Sequence, residues 1–300
     1  MRHSSFRLVV GSILLSAFAY AQGILVLATR GDVQVEQAGG WTKATAGMKL
    51  SEQQKIRVGQ DAYVALVFPG NKAREIRQAG TYTPTQLLSQ RTSSDDNAYA
   101  SKYTGYVLNQ AVASGAGRAS GKTLGAVTRS TMAPTPRTPV QSAFFADRIV
   151  FNWDRVPGSE GYIVQILDES GQIFLTREVP AEQTSVEFSL ENKVKPGTCY
   201  YWRVSTRRHP TLHSTNACFR VLPSDQAAAL KREEEALRRS LNPSSALDYV
   251  TLGAFYEQNG LYGYAWNAYN QASSIEAGAD GYVALRDELS QRVVRSTVKE

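Results

Sequence analysis

The chain contains few of the side chains from which enzymes most often build catalytic or metal sites. Its 300 residues include only two cysteines and three histidines. His209 and His213 are separated by Pro210 in a stretch typical of a loop between strands, which supports neither a catalytic triad nor a helical pair of metal ligands. The cysteines form no C-x-x-C motif, so they do not indicate a zinc site. We therefore predict no catalytic residue, no metal site and no cofactor.

Long apolar runs are absent beyond residue 21, where no segment approaches the roughly 18 apolar residues of a membrane-spanning helix. At the start of the chain, Arg2 and Arg7 precede the apolar run Leu8–Phe18, which is followed by Ala19–Ala21. A basic start, a short apolar run and small residues at this spacing are typical of a secretory signal peptide. We expect cleavage before Gln22 and a mature chain, periplasmic or extracellular, with no transmembrane span. The alternative is a buried or anchoring N-terminal helix.

Positive charge is too scattered to indicate a nucleic-acid partner. The formal net charge is +6, and removal of Arg2 and Arg7 with the signal peptide leaves +4. The basic pairs at 231–232 and 238–239 are interleaved with glutamates 233–235, as on a solvated helix face. We expect no nucleic-acid partner.

The two cysteines, Cys199 and Cys218, are predicted to form one disulfide bond in an oxidising compartment. Alternation in each strand places both sulfur atoms on the outward face, opposite to Tyr200, Trp202 and Val204. Two free thiols remain the alternative, because the register of the two strands does not follow from the sequence.

Residues 22–90 have the pattern of an all-β unit of short strands separated by turns, with no helical period. The expected strands are Ile24–Ala28, Val33–Gln37, Lys55–Val58, Tyr63–Phe68 and Glu75–Arg77. The strings GDVQV, WTKATAGMKL and QKIRVGQDAYVALVFPGN resemble the FecR-like domain. That resemblance implies a β-rich exported module for structure or ligand sensing, not a catalyst.

Residues 91–140 are predicted to form a helix within Tyr99–Ala113, followed by a Gly-, Ser-, Thr- and Pro-rich linker. The helical stripe would contain Tyr103, Tyr106, Val107, Gln110 and Ala111. The linker segment 116–123 fits a relaxed P-loop pattern, but it lacks the preceding strand and following helix that phosphate binding needs. We therefore expect Lys122→Ala to leave stability and activity unchanged.

Residues 141–223 have the regular strand spacing of a β-sandwich, with Trp153 and Trp202 expected in its core. The expected strands are Arg148–Trp153, Gly161–Asp168, Ile173–Val179, Ser185–Leu190, Cys199–Thr206 and Ala217–Leu222. The strings FNWDRVPGSEGYIVQILDESG and PGTCYYWRVST resemble a fibronectin type III or related immunoglobulin-like domain. The resemblance implies a spacer or recognition module.

Residues 224–300 change to a helical period, and from residue 246 the chain resembles one tetratricopeptide repeat. Small residues such as Gly253 are expected to let paired helices approach, and four tyrosines are expected to line or support a partner groove: Tyr249, Tyr256, Tyr262 and Tyr269. The alternative is that these helices only cap the fold. Deleting residues 224–300 is expected to leave the two β-units folded.

The sequence thus predicts a multidomain protein, mainly β in its N-terminal two thirds, with an α-helical end. Its predicted function is a non-catalytic, exported cell-envelope module that binds or scaffolds an envelope protein or peptide. One alternative is a sensor or carrier of a small ligand or glycan through the FecR-like domain. Another is a hydrolase without a recognisable motif, because the separation of paired carboxylates does not follow from sequence.

Overall fold

The computed structural model describes residues 23–70, 72–90, 102–103, 105–107, 133–145, 149–190 and 192–296. The predicted signal peptide and the P-loop-like segment with Lys122 lie outside these residues, as do Gln110 and Ala111. In the described part of the chain, no helix is long and apolar enough to cross a membrane.

The first unit is a sandwich of two four-stranded antiparallel sheets with orders β4-β1-β6-β7 and β3-β2-β5-β8. Both sheets contribute to one core that includes Val26, Val35 and Leu66. A short helix, α1, follows the last strand, which the prediction of an all-β unit missed. Its signal was local: Thr83 and Gln86 form a capping box around Pro84. The elements are β1 Ile24–Arg30, β2 Val33–Gln37, β3 Gly40–Lys43, β4 Lys49–Leu50, β5 Ile56–Val58, β6 Tyr63–Phe68, β7 Lys72–Ile76, β8 Gly80–Tyr82 and α1 Pro84–Ser89.

The sheet β4-β1-β6-β7 is buried on both faces. In β6, Val64 and Leu66 point into the sandwich core, whereas Tyr63, Ala65 and Val67 belong to a second core formed with the C-terminal helices. β1 is divided between the same two cores. Because successive side chains point to opposite faces, a strand covered on both faces is a continuous apolar run.

The second unit is a β-sandwich in which the sheet β14-β11-β9 faces a sheet ordered β10-β17-β15-β12-β13, with β16 also paired to β15. Trp153 and Trp202 are both buried in its core, as predicted. The strands are β9 Pro136–Thr138, β10 Ser142–Phe144, β11 Ile149–Trp153, β12 Tyr162–Leu167, β13 Ile173–Val179, β14 Ser185–Phe188, β15 Cys199–Thr206, β16 His209–His213 and β17 Ala217–Val221.

Two details of this unit differ from the prediction. The sandwich begins at Pro136, inside the segment predicted as linker, because proline is tolerated on an edge strand such as β9. The indole of Trp202 also donates a hydrogen bond to the carbonyl oxygen of Pro139 at 2.6 Å. The stretch containing His209 and His213 is strand β16 rather than a loop, and it pairs with the end of β15.

The C-terminal helices pack against both β-units. They are α2 Ser224–Arg238, α3 Ala246–Gln258, α4 Tyr262–Ile275 and α5 Asp280–Ser296. α5 contacts β1 so closely that a Cβ atom at Gly281 would lie 1.9 Å from the carbonyl oxygen of Leu27. At the other end, the backbone nitrogen of Gly263 in α4 donates a hydrogen bond to Ser142 Oγ at 3.1 Å, and Phe144 packs on Tyr264. The helices therefore join the two sandwiches.

Candidate functional site

The four tyrosines predicted to line or support a groove lie in or against the packed core. Tyr256 and Tyr269 are 4% and 2% exposed, and Tyr249 and Tyr262 are half-buried. Tyr269 packs on Gly253, where an added Cβ atom would lie 2.3 Å from its ring, so Gly253 does allow the paired helices to approach. The two buried rings support the helix pair and do not line an open groove.

The hydroxyl groups of the buried tyrosines are also used within the fold. Tyr256 donates a hydrogen bond to Glu234 Oε1 at 2.6 Å and accepts one from Arg238 at 2.9 Å. Tyr269 donates to Glu257 Oε2 at 2.8 Å. Burial, reinforced by the nearby Glu234 carboxylate, raises the pKa of Tyr256 above its ordinary value. Both hydroxyls act as structural donors within the fold.

A groove along α3 is closed because other parts of the chain cover this helix. From Val250 to Glu257 every side chain is buried. Part of the cover is the predicted helix within residues 99–113, whose described residues 102–103 and 105–107 are helical. Tyr103 and Val107 of the predicted stripe are 0% and 3% exposed, and the Tyr103 ring packs edge-on against Phe255 at 5.3 Å.

A polar clamp joins the first sandwich to the start of α3. Glu75 of β7 accepts hydrogen bonds through Oε1 from the Tyr63 hydroxyl at 2.7 Å and from the backbone nitrogen of Leu247 at 2.8 Å. Tyr63 is also hydrogen-bonded to the Tyr282 hydroxyl on α5. A carboxylate at a helix N-terminus is favourable, because it satisfies a free N–H group and the helix dipole.

The same clamp reaches the end of α4 through Glu276. This side chain is 5% exposed and accepts from Arg77 Nε at 2.7 Å and from Arg30 Nη2 at 3.0 Å. Both arginines come from the first sandwich, so these two bonds tie the end of α4 to that unit. No local pattern in the sequence predicts this pairing, because the partners are 246 and 199 residues apart along the chain.

Asp248, near the start of α3, is a carboxylate of this region whose pKa is clearly raised. Its Oδ2 atom accepts a hydrogen bond from the backbone nitrogen of Asn242 at 2.7 Å. Burial raises the pKa of Asp248 to about 6, with repulsion from Glu75 adding to the rise and the Asn242 bond opposing it. The folded chain therefore binds this proton more tightly than the unfolded chain does.

We expect Asp248 to make the protein less stable as the pH rises through about 6. The contribution of the Asp248 proton to the free energy of unfolding is complete below pH 3.8, the ordinary pKa of an aspartate. At about 1.4 kcal/mol per pKa unit, up to about 3 kcal/mol of this contribution has been lost at pH 8. Asp248→Asn keeps an acceptor for Asn242 without the buried charge. In urea unfolding at pH 4, 6 and 8, the free energy of unfolding of the variant should exceed that of the wild type only at the higher pH values. The difference is reduced by the favourable interaction of the wild-type carboxylate with the helix dipole. Parallel pH profiles for the two proteins would contradict this.

The predicted pair Cys199 and Cys218 is disulfide-bonded, with Cα atoms 6.1 Å apart. In the pairing of β15 with β17, Cys199 lies opposite Arg220 and Cys218 lies opposite Tyr201, so the bond is diagonal across neighbouring strands. Both side chains are half-buried.

Replacing both cysteines by serine is expected to lower the free energy of unfolding by about 3 kcal/mol, because the bond closes a loop with a sequence separation of 19. Urea unfolding of the variant, compared with the oxidised wild type, measures this effect, and the reduced wild type controls for the serine substitutions themselves. Two reactive thiols per chain in unreduced, denatured wild-type protein would show that the bond does not form.

One aromatic side chain lies on an otherwise polar, outward sheet face. Trp41 of β3 is half-buried, and the guanidinium carbon of Arg57 lies 3.9 Å from its ring centre. Gln34, opposite both Lys43 and Arg57 in the register, continues this face. This face therefore places an aromatic ring, a guanidinium group and a side-chain amide side by side.

A shallow cavity of about 380 Å³ lies on the second sandwich and is lined by Glu160, Glu178, Val179, Pro180, Ala181, Glu182 and Arg207. Its Glu178 is already paired with Arg207. Among the described residues, no three His, Cys, Asp or Glu side chains are close enough to hold a metal ion. Nε2 of His213 lies 2.9 Å from Nη1 of Arg203, on the outer face of β15 and β16.

No family model and no curated protein matches the chain. Solved structures that match include an Fn3-like protein from Clostridium thermocellum, with 23% identity over 30% of this chain and 92% of that chain and a TM-score of 0.23. The FN1–FN3 domains of chicken CNTN1 match with 11% identity over 67% of this chain and 56% of that chain, with a TM-score of 0.24. A BSP domain of a biofilm associated protein matches with 14% identity over 66% of this chain and 25% of that chain, with a TM-score of 0.23. The second unit is an immunoglobulin-like, fibronectin type III-like sandwich on the ground of its own strand order, β14-β11-β9 against β17-β15-β12.

Proposed function

We propose that this protein is a non-catalytic, exported cell-envelope protein that binds or scaffolds a protein partner. In this proposal the first sandwich is FecR-like, α3 and α4 are a tetratricopeptide-like pair, and residues 1–21 are removed on export to the periplasm or the cell exterior. The cross-strand disulfide between Cys199 and Cys218 suits an oxidising compartment.

The observation that carries this proposal is the helical layer between the two sandwiches. Its contacts are specific at both ends: Glu276 with two arginines of the first unit, and Gly263 with Ser142 of the second. Such contacts hold the outer surfaces in one arrangement, which is what a scaffold requires. The buried tyrosines and carboxylates of this layer are occupied by partners within the fold, which suits a structural role.

The test is capture of a protein partner on the immobilised chain lacking residues 1–21, followed by titration of the purified partner. A partner that binds saturably, and that also binds in the cell envelope by cross-linking, supports the proposal. Saturable binding of a glycan with no protein partner retained would overturn it.

A second function, glycan binding by the first unit, is favoured by Trp41 and its polar neighbours on one sheet face. Aromatic rings stack on the apolar faces of sugars, while nearby amide and guanidinium groups donate to hydroxyl groups. On a glycan array, Trp41→Ala should abolish any binding at this face, and Trp41→Phe should retain part of it. Binding that is equal in all three proteins would exclude this face.

A further inference from the structure

The two outer faces of the first sandwich differ in what covers them. The sheet β4-β1-β6-β7 is covered by the C-terminal helices, whereas Lys43, Arg57 and Thr81 on the outward side of the other sheet are exposed. Lys43 and Arg57 both lie opposite Gln34 in the register. Trp41 is two residues before Lys43 in β3 and therefore projects from the same side. This outward side of β3, β2, β5 and β8 is called here the Trp41 face.

Two positive charges of the Trp41 face have no ion-pair partner. Lys55 is paired with Glu36 at 3.2 Å, so these two charges offset each other. Within the described part of the chain, Lys43 and Arg57 form no ion pair. Neighbouring strands lie about 4.8 Å apart, so the backbones of Lys43 and Arg57, on either side of β2, are about 10 Å apart. Their long side chains can therefore meet one anionic group between them.

Trp41 holds the guanidinium group of Arg57 in place. The guanidinium carbon lies over the indole ring, 3.9 Å from its centre, which is the geometry of a cation–π contact. This contact uses one face of the planar guanidinium group and leaves the N–H donors at its edge free. Two of these donors match the two oxygen atoms of a carboxylate. Arg57 is thus a preorganised carboxylate-binding side chain with a second cation, Lys43, beside it.

The remaining groups of the Trp41 face suit a sugar better than a peptide. β2 and β5 are each paired on both sides, so their backbone groups are used within the sheet and cannot pair with an extended peptide. The face therefore offers side chains alone. Gln34 Nε2 donates to Asp32 at 3.1 Å, and the Oε1 atom of Gln34 can accept from a sugar hydroxyl group. The indole ring supplies an apolar surface beside these polar groups.

We propose that the Trp41 face binds an acidic glycan, with the carboxylate of a uronic acid held by Arg57 and Lys43 and its sugar ring against Trp41. This inference rests on the glycan-binding function proposed above and adds the chemical class of the sugar. A neutral sugar would engage the N–H donors of Arg57 through hydroxyl groups only and would leave both positive charges unpaired.

The test is isothermal titration calorimetry of the full chain lacking residues 1–21 with an oligogalacturonate, an oligoglucuronate and the methyl ester of each. An acid and its ester share the same sugar rings, but the ester carries no charge. At neutral pH at least one of the two acids should bind about tenfold more tightly than its ester, because hydrogen bonds to charged groups are the stronger ones. Added salt should weaken the binding of that acid and leave its ester unaffected.

Three variants test whether the acid binds at this face. Arg57→Gln should weaken binding of the acid about tenfold and Lys43→Gln several-fold, with a smaller effect on the ester. Both side chains are exposed, so both variants should fold. Lys49→Gln is the matched control, because it removes the same charge from an exposed lysine on the other sheet and should change neither affinity.

Equal affinities for acid and ester overturn this inference and retain a glycan-binding face. If neither the acids nor the esters bind, the glycan function fails together with the inference, while the scaffold function is still decided by partner capture. A poly-glutamate peptide that binds as tightly as the acid, and equally well to Trp41→Ala, also overturns the inference, because the face then recognises charge alone.

Discussion

In a chain that ends at Pro223, and so lacks the C-terminal helices, the first sandwich is expected to unfold. This result is the opposite of the expectation from sequence. Deletion of residues 224–300 uncovers the outer face of the sheet β4-β1-β6-β7, whose buried side chains are Leu25, Leu27, Ala28, Tyr63, Ala65 and Val67. Uncovering large apolar side chains costs about 1.5 to 3 kcal/mol each, so the total is comparable to the whole stability of a domain. The second sandwich has its own core and should stay folded.

Limited proteolysis with mass spectrometry measures this difference, because cleavage should fall within residues 23–90 and spare residues 136–222. A matched control replaces Leu25, Leu27 and Val67 by threonine in the truncated chain. Threonine suits a strand and tolerates water, so the control should recover protease resistance if the uncovered face is the cause. A truncated wild-type chain that remains monomeric and resistant would show that the helices are dispensable.

The second large effect is expected at the contact between α5 and β1. Gly281→Ala places a Cβ atom 1.9 Å from the backbone carbonyl oxygen of Leu27. The obstacle is backbone, so no side-chain rotation relieves it, and α5 must move away from the sheet. That movement also separates the hydroxyl groups of Tyr282 and Tyr63. We expect a loss of about 3 kcal/mol or more, at or above the upper end of ordinary overpacking.

Thermal and urea unfolding of Gly281→Ala measure the loss, with Gly39→Ala as the control. An added Cβ atom at Gly39 meets no atom within 4 Å, so the same chemical change should alter stability by no more than about 0.5 kcal/mol. Equal stabilities of the two variants would contradict the close approach of α5 to β1.

Local patterns determined much of the secondary structure. Alternation and turn residues located most strands of both sandwiches, and the outward parity of Cys199 and Cys218 predicted the bonded pair. The segment Tyr63–Phe68 also carried an unused signal, since a run of six apolar residues indicates a strand covered on both faces, and all six are buried in the structure. Such a run does not show which part of the chain covers the second face of the strand, because any apolar surface can bury it equally well.

The sequence by itself determined that two β-units precede a helical end, because strand alternation, turn residues and helical period are properties of neighbouring residues. Only the tertiary structure decided that Tyr249, Tyr256, Tyr262 and Tyr269 pack in or against the core and that Tyr103 covers Phe255 of α3. The deciding bond joins Tyr103 to Glu233 across a sequence separation of 130. Spacing along a helix states which side chains share a face, but the surface that this face meets depends on distant segments brought together by folding.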